Sequence, residues 1–146
     1  MRATPCIGIC STTYGDLVCR GCKRFSHEIV AWNTYTVVQR ERVWRRLHEL
    51  RDQATALFVE IVDEAKMRDV ALKARLDVGP AATPLTIGYE ILRRRARDVL
   101  DLHDVGMAAV RERPAAAVDI RDAIDAEFHL RSVAYYERSF HVSVDS

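Results

Sequence analysis

Residues 5–24 read PCIGICSTTYGDLVCRGCKR and contain every cysteine of the 146-residue chain. The spacing is C-x3-C for Cys6 and Cys10, then eight intervening residues, then C-x2-C for Cys19 and Cys22. Cysteines two or three residues apart can point both sulfurs at one centre, and two such pairs supply the four thiolates that zinc or an iron–sulfur cluster takes. The stretch therefore predicts a metal site held by all four cysteines.

The residues between and around the cysteines fit such a site. Gly21 stands directly before Cys22 and allows a positive φ in the turn, so that backbone N–H groups can point at the sulfurs. Basic side chains flank the cysteines and would offset the negative charge of four thiolates: Arg2, Arg20, Lys23 and Arg24.

Three other interpretations of the cysteines remain open. They could form two disulfides, stay as free thiols, or provide three ligands to a site that His27 completes. Disulfides are typical of short secreted chains, whereas this N-terminus lacks the apolar core of a secretion signal. We therefore expect a cytoplasmic protein, in which clustered cysteines favour a metal over disulfides.

The order of residues around the cysteines is similar to that of a known family. The matching positions are Pro5, Cys6, Ile7, Cys10, Cys19, Arg20, Gly21, Cys22, Arg24, Glu28, Ile29, Trp32, Glu41 and Arg42. Over residues 5 to about 48 the chain resembles the small bacterial family known as domain of unknown function family 1289. Its members are described as predicted iron–sulfur proteins, so the resemblance implies a metal site and no established activity. Lys23, Phe25 and a long C-terminal extension depart from the family pattern.

The identity of the metal is open. The family resemblance implies an iron–sulfur cluster, with iron as a redox centre. The residues themselves favour structural zinc, because both cysteine pairs have the short spacing of closed four-thiolate sites. A small loop with few apolar side chains also needs the folding energy that such a site provides.

Composition excludes several classes of protein. The hydrophobic fraction is 49% and the formal net charge is +1, so no overall field directs the chain to nucleic acid or to a membrane surface. No apolar run reaches the roughly 18 residues of a membrane-spanning helix. Phosphate-binding loops, nucleophile elbows and paired catalytic carboxylates are absent, so we assign no catalytic residue and regard enzymatic activity as doubtful.

We predict an all-α protein with an irregular N-terminal four-cysteine knuckle followed by a bundle of long helices. The predicted segments are a metal-binding module over 1–35, one long amphipathic helix over 36–78 and a C-terminal helical region over 79–146. The long helix carries an apolar seam at alternating spacings of three and four: Leu47, Leu50, Ala54, Leu57 and Ile61. It either packs on the later helices or forms a homodimer, and it could break near Arg68.

The region after the long helix begins with Gly79-Pro80, which predicts a hinge. Thr83 and Pro84 then predict the start of a helix that reaches about Leu102. A last helix is expected from Asp119 to about Phe140, although residues 133–144 could instead form a strand because of their Tyr and Val content.

The sequence supports three functional hypotheses. The first is a protein-interaction or adaptor module that recognises an unknown protein partner. The second is an iron–sulfur redox carrier or sensor. The third is an RNA- or DNA-associated factor that would use a basic helix face formed by Arg93, Arg94, Arg95 and Arg97.

Overall fold

The computed structural model of the chain describes residues 4–8, 10–79, 82–110 and 116–140. Most of these residues are helical, in five α-helices: α1 (Ser26–Ala31), α2 (Val37–Ala56), α3 (Glu64–Lys73), α4 (Pro84–Arg95) and α5 (Ala117–Phe140). Two short strands, β1 (Val59–Ile61) and β2 (Met107–Ala109), pair antiparallel. The prediction of a mostly helical protein is confirmed, but it missed this sheet. The arrangement as a bundle stays a prediction.

The chain forms two compact units. The middle unit comprises residues 51–126, and the N/C unit comprises residues 2–50 together with 127–146. The predicted division at residues 35 and 78 differs from this grouping and stays a prediction about which segments fold independently. None of the described helices is both long enough and apolar enough to cross a membrane.

The predicted single helix over 36–78 is wrong. α2 begins where predicted, because Thr36 and Gln39 exchange hydrogen bonds of 2.8 and 3.2 Å between side chain and backbone N–H. It ends at Ala56, well before Arg68, which lies inside α3. A homodimer was expected to form through this single long helix, so the break at Ala56 removes the reason for expecting it.

A local signal explains the break after Ala56. Residues 58–62 read FVEIV, which is rich in β-branched side chains, and within β1 Val59 is buried whereas Glu60 is exposed. Asp63 then accepts a hydrogen bond from the backbone N–H of Lys66 at 3.0 Å and caps α3. The predicted helix was therefore too long, because it included β1 and the residue that caps α3. Leu57 of the predicted apolar seam is exposed and does not belong to the core.

Glycines let the sheet of the middle unit pack closely on its helices. A Cβ on Gly88 of α4 would stand 2.8 Å from the sulfur of Met107 in β2, so this glycine permits a helix–strand contact rather than merely weakening α4. Gly106 has a φ of 79°, and a Cβ there would stand 2.3 Å from the carbonyl oxygen of Asp63. Gly106 therefore requires the absence of a side chain, whereas a Cβ at Gly88 would force the side chain of Met107 to move.

Two predictions about the later helices have mixed outcomes. Thr83 caps α4 as expected, accepting from the backbone N–H of Thr86 at 3.1 Å, but the helix ends at Arg95 instead of Leu102. Residues 133–140 belong to α5 and are helical, so the strand alternative is wrong there. Residues 141–144 and the Pro80 part of the predicted hinge lie outside the described residues.

The core of the N/C unit surrounds the cysteine-containing segment. Its fully or nearly buried apolar side chains come from the loop before α1, from the turn that follows α1, from α2 and from the middle of α5: Val18, Phe25, Trp32, Val43, Leu47 and Phe128. The residues that follow the second cysteine pair are thus part of a hydrophobic core. This core fixes the backbone that carries Cys19 and Cys22.

Candidate metal centre at the cysteine turn

Cys19 and Cys22 lie in a tight turn, residues 18–25, which we call the cysteine turn. Val18 and Phe25 form an antiparallel bridge at its base. Inside the bridge the N–H of Cys19 donates to the carbonyl of Arg24, and the N–H of Lys23 donates to the carbonyl of Cys19, both at 2.9 Å. These bonds hold the two cysteines at the tip of the turn.

The positive φ that the turn requires lies at a different residue from the one predicted. Lys23 has a φ of 67°, whereas Gly21 is not among the residues with positive φ. A non-glycine residue in this region costs free energy and persists where its surroundings hold it. Lys23 is held in this way, because it is buried and its amine donates to the carbonyls of Arg20 and Gly21.

The sulfur of Cys19 accepts hydrogen bonds from the backbone. Burial of Cys19 raises its pKa, but N–H groups of Cys22, Ser11 and Gly21 donate to the sulfur and bring the pKa down to about 7. Hydrogen bonds of this kind stabilise the thiolate, which is the form that binds a metal. The expectation that backbone N–H groups point at a cysteine sulfur is thus met at Cys19.

Cys22 occupies a more apolar environment. Burial raises the pKa of its thiol, and Arg24 opposes this effect through a hydrogen bond from Nε to Sγ of 3.3 Å. Arg24 itself is only 4% exposed. A buried guanidinium therefore lies against the sulfur and favours its negatively charged form.

The first cysteine pair lies in a different environment. Cys6 is exposed, and its sulfur accepts from the N–H of Gly8 at 3.4 Å. Cys10 is half-buried and lies 3.0 Å from the hydroxyl of Thr12, and hydrogen bonds from Thr12 and Thr13 lower its pKa. The four cysteines all lie among the described residues and form no disulfide there.

The described residues contain no group of three or more Cys, His, Asp or Glu side chains that could hold a metal ion together. Cys19 and Cys22 lie together in the cysteine turn, and the metal site of all four cysteines stays a prediction. The donors of the cysteine turn fit a thiolate-bound metal. His27 is exposed and contacts Phe140 edge to face, with ring centroids 5.0 Å apart.

The predicted basic surroundings divide into buried and exposed side chains. Lys23 and Arg24 are buried beside the cysteines, and the amine of Lys23 lies 5.5 Å from the ring centroid of Phe128. Arg20 is mostly exposed and pairs with Asp16 at 3.4 Å. Arg2 lies outside the described residues. The structure thus separates two cations that belong to the turn from one that faces solvent.

Trp32 and Phe25 are both buried, and they contact different partners. Two arginines lie over the ring of Trp32. The guanidinium carbon of Arg24 is 5.0 Å from the ring centroid, and that of Arg40 is 5.5 Å from it. Phe25 packs against the aromatic side chains of α5, among them Tyr136 with ring centroids 5.0 Å apart.

No local pattern in the sequence predicts the role of Arg46. Arg46 forms two hydrogen bonds of 2.6 Å with the carboxylate of Glu28, and the two side chains are only 12% and 6% exposed. The guanidinium also lies 3.9 Å from the ring centroid of Phe25. Eighteen residues separate the two partners, so no local spacing rule reveals the pair.

The four arginines proposed to bind nucleic acid lie at the end of α4 and just after it. Arg93 and Arg94 contact the buried carboxylate of Glu90 at 3.0 and 3.4 Å, and Arg95 lies 3.9 Å from Asp98. These pairings reduce the positive charge available to a phosphate. Nucleic-acid binding through Arg93, Arg94, Arg95 and Arg97 stays a prediction.

Comparison with known proteins gives one match. No curated protein and no solved structure matches the chain. The match to a family model confirms the resemblance inferred for residues 5 to about 48 and includes both cysteine pairs. It covers about a third of the chain: residues 4–51 match the model of the family described as a protein of unknown function, DUF1289.

Proposed function

We propose that this chain is a small metal-binding protein in which Cys6, Cys10, Cys19 and Cys22 hold a structural zinc ion. The observation that carries the proposal is the closed C-x2-C turn, held by the bridge between Val18 and Phe25, with backbone N–H groups that donate to the sulfur of Cys19. Such donors offset the charge of a metal-bound thiolate. Arg24 supplies a further donor to Cys22.

A four-thiolate site also requires the Cys6–Cys10 segment and the cysteine turn to bring their sulfurs together. We propose that the bound metal joins these two segments. Zinc bound by four thiolates contributes about 10–16 kcal/mol of apparent free energy, which is ample for ordering a short segment. An iron–sulfur cluster would use the same four ligands and accept the same hydrogen bonds, and it would make the chain a redox carrier or sensor instead.

We further propose that the zinc-bound protein acts as an interaction or adaptor module in the cytoplasm. Three valines in the segment that matches the family are exposed, at 83%, 71% and 56%: Val30, Val37 and Val38. A protein partner that covered these side chains would remove their apolar area from water, which favours association.

Single Cys→Ser variants of the full chain test the metal-binding proposal. Replacing any one of the four cysteines removes a ligand, so we expect zinc affinity to fall by more than the ~100-fold that marks the loss of an outer-shell partner. The measurement is competition with a chromophoric zinc chelator under reducing conditions. The control His27→Ala should bind zinc as tightly as the parent chain.

The same series identifies other ligand sets. Affinity that survives replacement of Cys6 or Cys10 would contradict the four-cysteine site. Affinity lost in the His27→Ala variant and retained in one cysteine variant would replace it with a site of three cysteines and one histidine.

A further inference from the structure

The guanidinium of Arg24 has two buried contacts. Its Nε donates to Sγ of Cys22 at 3.3 Å, and its guanidinium carbon lies 5.0 Å from the centroid of the Trp32 ring. Both contacts are buried, because Arg24 is 4%, Cys22 7% and Trp32 6% exposed. An exposed arginine samples many rotamers, whereas the guanidinium of Arg24 is held by the ring of Trp32 and by its hydrogen bond to Cys22.

Trp32 is fixed in turn by α2. Arg40 lies with its guanidinium carbon 5.5 Å from the same ring centroid, and its Nε donates to the backbone carbonyl of Trp32 at 3.1 Å. The ring of Tyr35 lies 6.3 Å from that of Trp32. The indole that supports Arg24 therefore also contacts Arg40 and Tyr35.

We infer that Arg24 is a positioning residue that holds the sulfur of Cys22 in its ligating orientation, and that Trp32 is the platform that fixes Arg24. The inference rests on the proposed metal site and adds a role to two residues outside the ligand set. Only arginine combines a face that stacks on an indole with an N–H directed at a neighbouring acceptor. The functional unit is therefore Cys22, Arg24 and Trp32 together.

The metal-bound arm of the test uses cobalt(II), whose absorption reports thiolate ligation, with the reduced full-length chain. Arg24→Gln should weaken cobalt binding about 10–100-fold, as loss of an outer-shell partner does. Arg20→Gln is the matched control, since that arginine lies in the same turn but its side chain is 72% exposed and pairs with Asp16. It should bind cobalt like the parent.

Variants of Trp32 separate positioning from general packing. Trp32→Phe keeps an aromatic face and should retain most of the affinity, whereas Trp32→Leu should lose as much as Arg24→Gln. Combining Trp32→Leu with Arg24→Gln should cost no more than either change alone. Equal affinities for the Phe and Leu variants, or full affinity for Arg24→Gln, would overturn the inference. Far-UV circular dichroism checks that each variant is folded, and if Arg24→Gln is not, the Phe and Leu pair decides.

A metal-free arm keeps the inference testable if the parent binds no cobalt, a result that would refute the proposed function. In a Trp44→Phe chain with chelator present, Trp32 is the only tryptophan. Cys22→Ala should change its emission in the presence of Arg24 and leave it unchanged in an Arg24→Gln background. An emission change of the same size in both backgrounds would show that Arg24 does not connect Cys22 to Trp32.

Discussion

Replacing Arg46 with Met should lower the free energy of unfolding by about 3–5 kcal/mol, which is the typical cost of removing one partner of a buried ion pair. The substitution leaves the carboxylate of Glu28, only 6% exposed, without the two 2.6 Å hydrogen bonds that balance its charge. Glu28 also accepts from the N–H of Phe25 at 2.9 Å, so the disturbance reaches the cysteine turn. Chemical denaturation followed by circular dichroism measures the change.

Two companion variants show whether the buried charge is the cause. Arg45 is exposed and adjacent in sequence, so Arg45→Met should be nearly neutral. Adding Glu28→Gln to Arg46→Met removes the uncompensated charge and should recover part of the loss. An Arg46→Met protein as stable as Arg45→Met would refute the assignment of this pair to the core.

Truncating Phe25 to Ala should cost a similar amount, about 3–5 kcal/mol, the usual range for a buried phenylalanine. Phe25 is fully buried and contacts Tyr135, Tyr136 and Phe140 of α5, with ring centroids 5.0–6.1 Å apart. Loss of the ring therefore leaves a cavity between the cysteine turn and the last turns of α5. Amide hydrogen exchange of residues 127–140 should become faster together with that of the turn.

The control for this variant is Tyr14→Ala. Tyr14 is an aromatic residue of the same N-terminal segment but is 91% exposed, so its loss should leave both stability and exchange unchanged. Unchanged exchange over 127–140 in the Phe25→Ala protein would mean that α5 does not depend on the cysteine turn. That result would favour the predicted independent module over residues 1–35.

Local signals in the sequence predicted several features of the structure correctly. The starts of α2 and α4 were predicted because Thr36 and Thr83 can accept hydrogen bonds from the first free N–H groups of a helix. This rule involves residues only three positions apart. Gly21 before Cys22 was expected to direct backbone N–H groups at the sulfurs, which occurs at Cys19, although the positive φ lies at Lys23. The resemblance of the first third of the chain to a known family was based on the fixed spacing between the matching residues. The family match over residues 4–51 confirms it.

Features that depend on distant partners could not be predicted in this way. Arg46 reads as one of several surface arginines until α2 places it beside Glu28. Gly88 reads as a weak point of a helix until β2 packs against it. The end of α2 was missed for a different reason, because apolar residues at helical spacing continued into a segment whose β-branched composition favours a strand.

The metal content of the chain purified without oxygen tests the central claim most directly. The proposal predicts a colourless protein. Elemental analysis combined with protein quantification should give one zinc per chain and neither iron nor acid-labile sulfide. The Cys19→Ser protein prepared in parallel should have lost the zinc. A brown protein that contains iron and sulfide would contradict the zinc assignment, and a folded parent chain without any bound metal would contradict the metal site itself.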